Sequence, residues 1–142
     1  MTMLSRLQAR VTAAVPDWPL ALLLRVGLAA PFFLSGRTKV DGVFTITDST
    51  RYLFAEEYRV PLLPPDLAAT LATGAEHILP VLLVAGLLTR SAALGLLFMT
   101  LVIQLFVIPT GWSTHLLWAG PLAYLIARGP GAASLDRLLK LD

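Results

Sequence analysis

The chain has 142 residues and a net charge of +2; 56% of its residues are hydrophobic and only 14% charged, against about 25% charged in an ordinary soluble domain. A soluble protein of this size would lack the polar surface to cover such a core, so the apolar excess reads as lipid-facing surface. With no cysteine, disulfides, thiol catalysis, iron–sulfur ligation and covalent c-type haem attachment are excluded, and no basic run with interleaved aromatics supports nucleic-acid binding.

Four apolar runs occupy residues 18–36, 67–88, 91–109 and 112–127. A membrane span needs about 20 mostly apolar residues, with roughly 17 to 25 tolerated. The expected fold class is therefore an all-α integral membrane protein: one domain over 1–142, a four-transmembrane-helix bundle in a lipid bilayer. A cleaved signal peptide is the rival reading of the first run, since Arg6 and Arg10 precede it. Arg25 inside the run and the lack of a clean small-x-small site after it argue against cleavage.

The connections differ in length. Thr89–Arg90 and Thr110–Gly111 are read as links of tight antiparallel hairpins. The segment 37–66 is the one long loop. In it, Asp48-Ser49-Thr50 reads as a helix start, followed by Arg51-Tyr52-Leu53-Phe54-Ala55-Glu56-Glu57-Tyr58. Aromatics beside charges suit a short interfacial helix at the membrane surface. Pro61, Pro64 and Pro65 end it. Arg6, Arg10, Arg90, Arg128, Arg137 and Lys140 fall on the side of the termini, and Arg37, Lys39, Arg51 and Arg59 in the long loop. This bias places both termini in the cytoplasm.

Arg25, Glu76 and His77 are ionisable residues deep within the runs. A charge at mid-membrane costs about 2.5–3.5 kcal/mol even on the lenient insertion scale. Counted from the loop ends of their runs, Arg25 and Glu76 both lie about 15–16 Å deep, which predicts an Arg25–Glu76 ion pair. Such a pair either holds two helices together or, with His77, lines a buried ligand or proton site. Pro80 frees the Glu76 carbonyl, and Pro31 and Pro121 free those of Gly27 and Leu117. Gln104 and His115 form a second polar group near the loop end, with Arg37, Lys39 and Trp118 at its rim. Trp112 and Trp118 read first as interfacial anchors and second as ring surface for a flat ligand. His77 and His115 differ in expected depth by about 11 Å, which argues against a shared haem. The chain carries no flavin motif and too few clustered ligands for a metal.

These residues resemble the DoxX family of small bacterial membrane proteins, from about Leu20 to Leu139. The resemblance rests on Leu24-Arg25-Val26-Gly27, Phe33-Leu34-Ser35-Gly36 with Lys39, Glu76, Gly86-Leu87-Leu88-Thr89-Arg90, Arg128-Gly129-Pro130-Gly131 and Ser134-Leu135-Asp136. The block Glu57-Tyr58-Arg59-Val60-Pro61-Leu62-Leu63-Pro64-Pro65 looks like that of a branch carrying this loop. The resemblance implies four spans in a bacterial cytoplasmic (inner) membrane. Some relatives are associated with quinone-linked oxidation of sulfur compounds or with membrane oxidoreductase complexes. The leading expectation is a membrane component of a redox system. It would be an oxidoreductase subunit rather than a stand-alone enzyme, binding a quinone or similar lipid-soluble carrier. Arg25, Glu76 and His77 would shape the polar end of that site, and Gln104 and His115 an alternative one. A redox partner protein would deliver the electrons, and a homo-oligomer is compatible with this reading. A non-catalytic scaffold or assembly subunit and a small transporter subunit are the alternatives, the last weakened by the lack of an internal repeat.

Overall fold

A computed structural model describes residues 2–14, 16–58 and 60–141, the side chains of 12–14 apart. Arg59, counted above in the charge bias and the loop block, lies outside the described residues. Helix α1 (Met3–Ala14) precedes α2 (Asp17–Arg37). Its apolar Met3, Leu4, Leu7 and Val11 are exposed and share one face at helical spacing.

Helices α2 and α4 (Pro65–Ala85) have 21 residues each, and α5 (Thr89–Val102) continues through a π-helical turn, Ile103–Val107. By length and composition these three elements can each cross a membrane. Helix α6 (Trp112–Arg128) has 17 residues and is about 25 Å long. It packs on α5 and, over a smaller area, on α2. The helices run through Pro31, Pro80 and Pro121.

The common core is Leu28 and Phe32 of α2, Leu83 of α4, Leu96 of α5, and Leu122 and Leu125 of α6. Around it the distribution of polarity is the reverse of a soluble bundle. Arg25, Thr73, Glu76, His77, Thr100, Gln104 and His115 are buried, while Leu23, Leu34, Leu71, Ile78, Val81, Phe98, Leu101 and Leu117 face outward. Water would penalise that outer skin at about 25 cal/mol per Å²; hydrocarbon does not.

The α4–α5 link is Gly86–Leu88 rather than Thr89–Arg90. Gly86 ends α4 in the left-handed region (φ 67°), where a side chain is strained. Thr89 then already belongs to α5, because both oxygens of the Asp136 carboxylate accept from its first amides: Leu88 N at 2.6 Å and Thr89 N at 2.8 Å. Asp136 sits on a short helix, α7 (Leu135–Leu139), whose N-cap is Ser134.

The long loop holds more order than one surface helix. A two-stranded antiparallel hairpin, β1 (Val40–Asp41) and β2 (Thr45–Ile46), turns at Gly42. Helix α3 (Asp48–Tyr52) opens at the expected residue, capped by the Thr47 side chain, and ends in a π-helical turn, Leu53–Glu57. Phe54 packs on Ala68 and Ala69 with Tyr58 and Val60 alongside. Arg51 also reaches Asp66 at 2.7 Å. The loop therefore wraps the first turns of α4.

Candidate functional site

The register between α2 and α4 decides which polar groups meet. A Cβ at Gly36 would lie 3.0 Å from Glu76 Cβ and from the His77 ring, so those residues are level. Lower down, the Arg25 guanidinium lies against Gly86. Arg25 and Glu76 are thus about ten helical residues apart, roughly 15 Å. The expected Arg25–Glu76 ion pair does not form. The depth count assumed that the two helices begin together at the loop end; instead the first ten or so residues of α4 project beyond α2 and are wrapped by the loop.

Glu76 pairs with Lys39, Nζ to Oε2 at 2.7 Å, and accepts a weaker hydrogen bond from the Ser35 hydroxyl at 3.3 Å. Lys39 also donates to Ser35 Oγ at 2.9 Å. The carboxylate is buried with its countercharge beside it. Burial, reinforced by Glu57 and Glu76, pushes the nearby Tyr58 phenol above its usual range.

Arg25 is 1% exposed. Its Nη2 donates to the Ala133 carbonyl at 2.5 Å, while Nε and Nη1 are without a protein partner. The guanidinium thus fastens the segment before α7 to α2, while Asp136 fastens α7 to α5. Arg37, expected at a ligand rim, donates instead to the carbonyls of Gly42 and Val43 and holds the hairpin turn.

The two histidines share one tautomer logic. His77 Nδ1 lies 2.7 Å from the Thr73 carbonyl, which only accepts, so Nδ1 is the donor. Its Nε2 is buried without a partner, as is Thr73 Oγ1. The Phe33 and Phe44 rings lie edge-on to it, centroids 5.5 and 6.1 Å away.

The second polar group forms as a contact pair. Gln104, the buried residue of the α5 π-turn, donates from its amide to the Pro109 carbonyl at 2.6 Å. That orients its Oε1 towards His115 Nδ1, 2.6 Å away. His115 Nδ1 is therefore the donor. A π-helical turn widens the backbone and shifts side-chain register, which brings Gln104 under the start of α6.

His115 lines a groove of about 350 Å³ between α5 and α6. Leu97, Phe98 and Leu101 form one wall; Trp112, Leu116 and Ala119 form the other. Phe98, Leu101 and Leu116 are exposed, so the groove opens on the face that lipid would cover. Trp118 is no interfacial anchor. Its ring is packed between Phe32, at 5.0 Å, and His115, at 5.4 Å. Through that stack His115 lies near the level of Ser35, within about one turn of His77. The expected 11 Å depth gap closes, again because α4 is shifted. Among the described residues no three His, Asp or Glu side chains come together as a metal site.

Sequence reasoning missed Ser35, Thr73, Phe44 and Asp136. Ser35 and Asp136 stood within the family-like motifs but carried no charge imbalance or periodicity that assigned them a contact.

A bundle with polar residues inside, apolar residues outside and three helices of membrane-crossing length is a helical membrane protein. The DoxX family model matches residues 20–109, and the chain belongs to that family. A protein of Haemophilus influenzae described as uncharacterised is 36% identical over 132 residues, covering 84% of this chain and 82% of the relative. No solved structure matches.

Proposed function

We propose that this protein is a membrane component of a redox system that binds a quinone or a similar lipid-soluble carrier in the α5–α6 groove. In this reading all four long helices, α2, α4, α5 and α6, span a bacterial inner membrane with both termini in the cytoplasm. The carrying observation is the groove itself. It is apolar-walled, of a size suited to one ring, open towards lipid, and has His115 among its lining residues. The association of some DoxX relatives with quinone-linked oxidation supports the same ligand class.

The roles follow from the side chains. Phe98, Leu101 and Leu116 would hold the ring and exclude water, and Trp112 would close the rim. His115, held by Gln104, would exchange a proton with the carrier's oxygen. A partner protein would deliver the electrons.

Saturable quenching of tryptophan emission by a short-tailed quinone, with the full chain in lipid nanodiscs, tests the reading. Ala119→Leu, which fills the groove, should weaken binding by tenfold or more. Binding that ignores Ala119→Leu, or no saturable binding in the wild type, removes the reading.

A scaffold role remains the second reading, supported by how Arg25, Asp136, Lys39 and Glu76 are spent on contacts within the chain. A stoichiometric partner on gentle purification, with system activity unchanged by Ala119→Leu, would favour it.

A further inference from the structure

Helix α1 leaves its apolar face uncovered. Met3, Leu4, Leu7 and Val11 are exposed, and at 100° per residue they fall within one stripe about 100° wide. Arg6 and Arg10 run along one edge of that stripe, while Ser5 and Ala9 lie opposite it. The helix carries no acidic residue. An apolar stripe edged by arginines, with no carboxylate on the same helix, suits a headgroup layer: the stripe enters the acyl boundary and the guanidinium groups stay at the phosphates.

The chain around α1 fixes which surface that is. Pro16, extended at φ −65° and ψ 149°, separates α1 from α2, so α1 is no prolongation of the span. Ala14 is three residues from Asp17, which holds the end of α1 within about 11 Å of the start of α2. Trp18, exposed in the first turn of α2, stands where a headgroup-level anchor belongs. The C-terminal segment adds to the same end of the molecule. A Cβ at Gly131 would lie 3.5 Å from Trp18 Cα, and Leu138, Leu139 and Leu141 further on are exposed beside an exposed Lys140.

We propose that α1 docks on the anionic lipid surface of the membrane that α2 enters, with Met3, Leu4, Leu7 and Val11 in the acyl boundary and Arg6 and Arg10 against lipid phosphates. This surface is independent of the α5–α6 groove. Charge decides for lipid over a second copy, because another α1 on the same face would bring more arginine and no carboxylate to neutralise it.

The chain has no cysteine, so one introduced thiol reports one site. Leu4→Cys, Leu7→Cys and Val11→Cys, with Ser5→Cys and Ala9→Cys as controls, are compared in the full chain in nanodiscs containing phosphatidylglycerol as the anionic lipid. Modification by a charged, water-soluble maleimide proceeds at a rate set by the undocked fraction. It should be about tenfold slower at Leu4, Leu7 and Val11 than at Ser5 and Ala9. In discs of phosphatidylcholine alone, or with Arg6→Gln and Arg10→Gln together, the rate at Leu7 relative to Ala9 should rise about tenfold. A nitroxide on the Leu7→Cys thiol should meet oxygen more readily than a water-soluble nickel chelate. Equal rates at all five sites overturn the proposal. A nitroxide shielded from oxygen and nickel alike also overturns it, since protein would then cover the face. So does protection that ignores both lipid charge and the arginine substitutions.

Discussion

The ammonium of Lys39 lies 2.7 Å from the Glu76 carboxylate, with the Ser35 hydroxyl bonded to both. The base of the long loop is thereby tied to the middle of α4. Lys39 follows α2 directly, so the pair also holds the register that brings Gly36 against His77. With side chains 14% and 5% exposed, neither partner has enough water to replace the other.

Removing one partner should therefore cost more than removing both. Lys39→Met leaves a buried carboxylate without its countercharge, a loss of about 3–5 kcal/mol. Lys39→Met combined with Glu76→Gln should recover a large part of it. Arg25→Met and Glu76→Gln, about 15 Å apart along the helices, should add to within about 0.5 kcal/mol. Unfolding in mild detergent, analysed as two double-mutant cycles, checks both. Strong coupling between Arg25 and Glu76 would contradict the register described here.

Gly36 and Gly27 lie in the same helix and make opposite predictions. A Cβ at Gly36 meets Glu76 Cβ and the His77 ring at 3.0 Å, whereas one at Gly27 meets nothing within 4 Å. Gly36→Ala should destabilise by about 1–3 kcal/mol through overpacking. Gly27→Ala should be neutral or stabilise by about 0.4–1 kcal/mol, because it restricts the unfolded chain. Thermal midpoints of the two variants against the wild type decide it. A tolerant Gly36 would mean that α2 and α4 are not held this close.

The contact between Asp136 and the start of α5 makes the C-terminal segment part of the bundle. Asp136→Ala removes the acceptor for two backbone amides, that of Thr89 buried, and should cost about 2 kcal/mol, the upper range for a helix cap. Asp136→Asn keeps one acceptor oxygen and should cost less. Limited proteolysis after Arg137 should be faster in Asp136→Ala than in the wild type. An unchanged digestion rate would show that Arg25 and its bond to Ala133 hold the segment without help.

Much of the architecture was legible in the chain because the signals are local. Runs of apolar residues of membrane-crossing length show at once where α2, α4 and α5 lie, whatever their neighbours do. Asp48-Ser49-Thr50 reads as a helix start because start signals are local, although the capping side chain is that of Thr47. The family could be read too, since it rests on short motifs in a fixed order. Gln104 and His115 could be grouped because both fall within about two turns of the loop ends of their runs, and they are in contact.

What the tertiary structure alone decided is the sliding of one helix past another. An α-helix of apolar residues packs almost equally well when displaced by a turn, so composition does not state the offset. Here the offset is set by the close approach at Gly36, the clasp of Lys39 on Glu76, and the loop that covers the protruding end of α4. It separated Arg25 from Glu76, gave Arg25 to the C-terminal segment, and brought the two histidines to nearly one level. The tautomer of His115 was equally hidden, because it depends on where the Pro109 carbonyl points, and a carbonyl's direction is a property of the folded backbone.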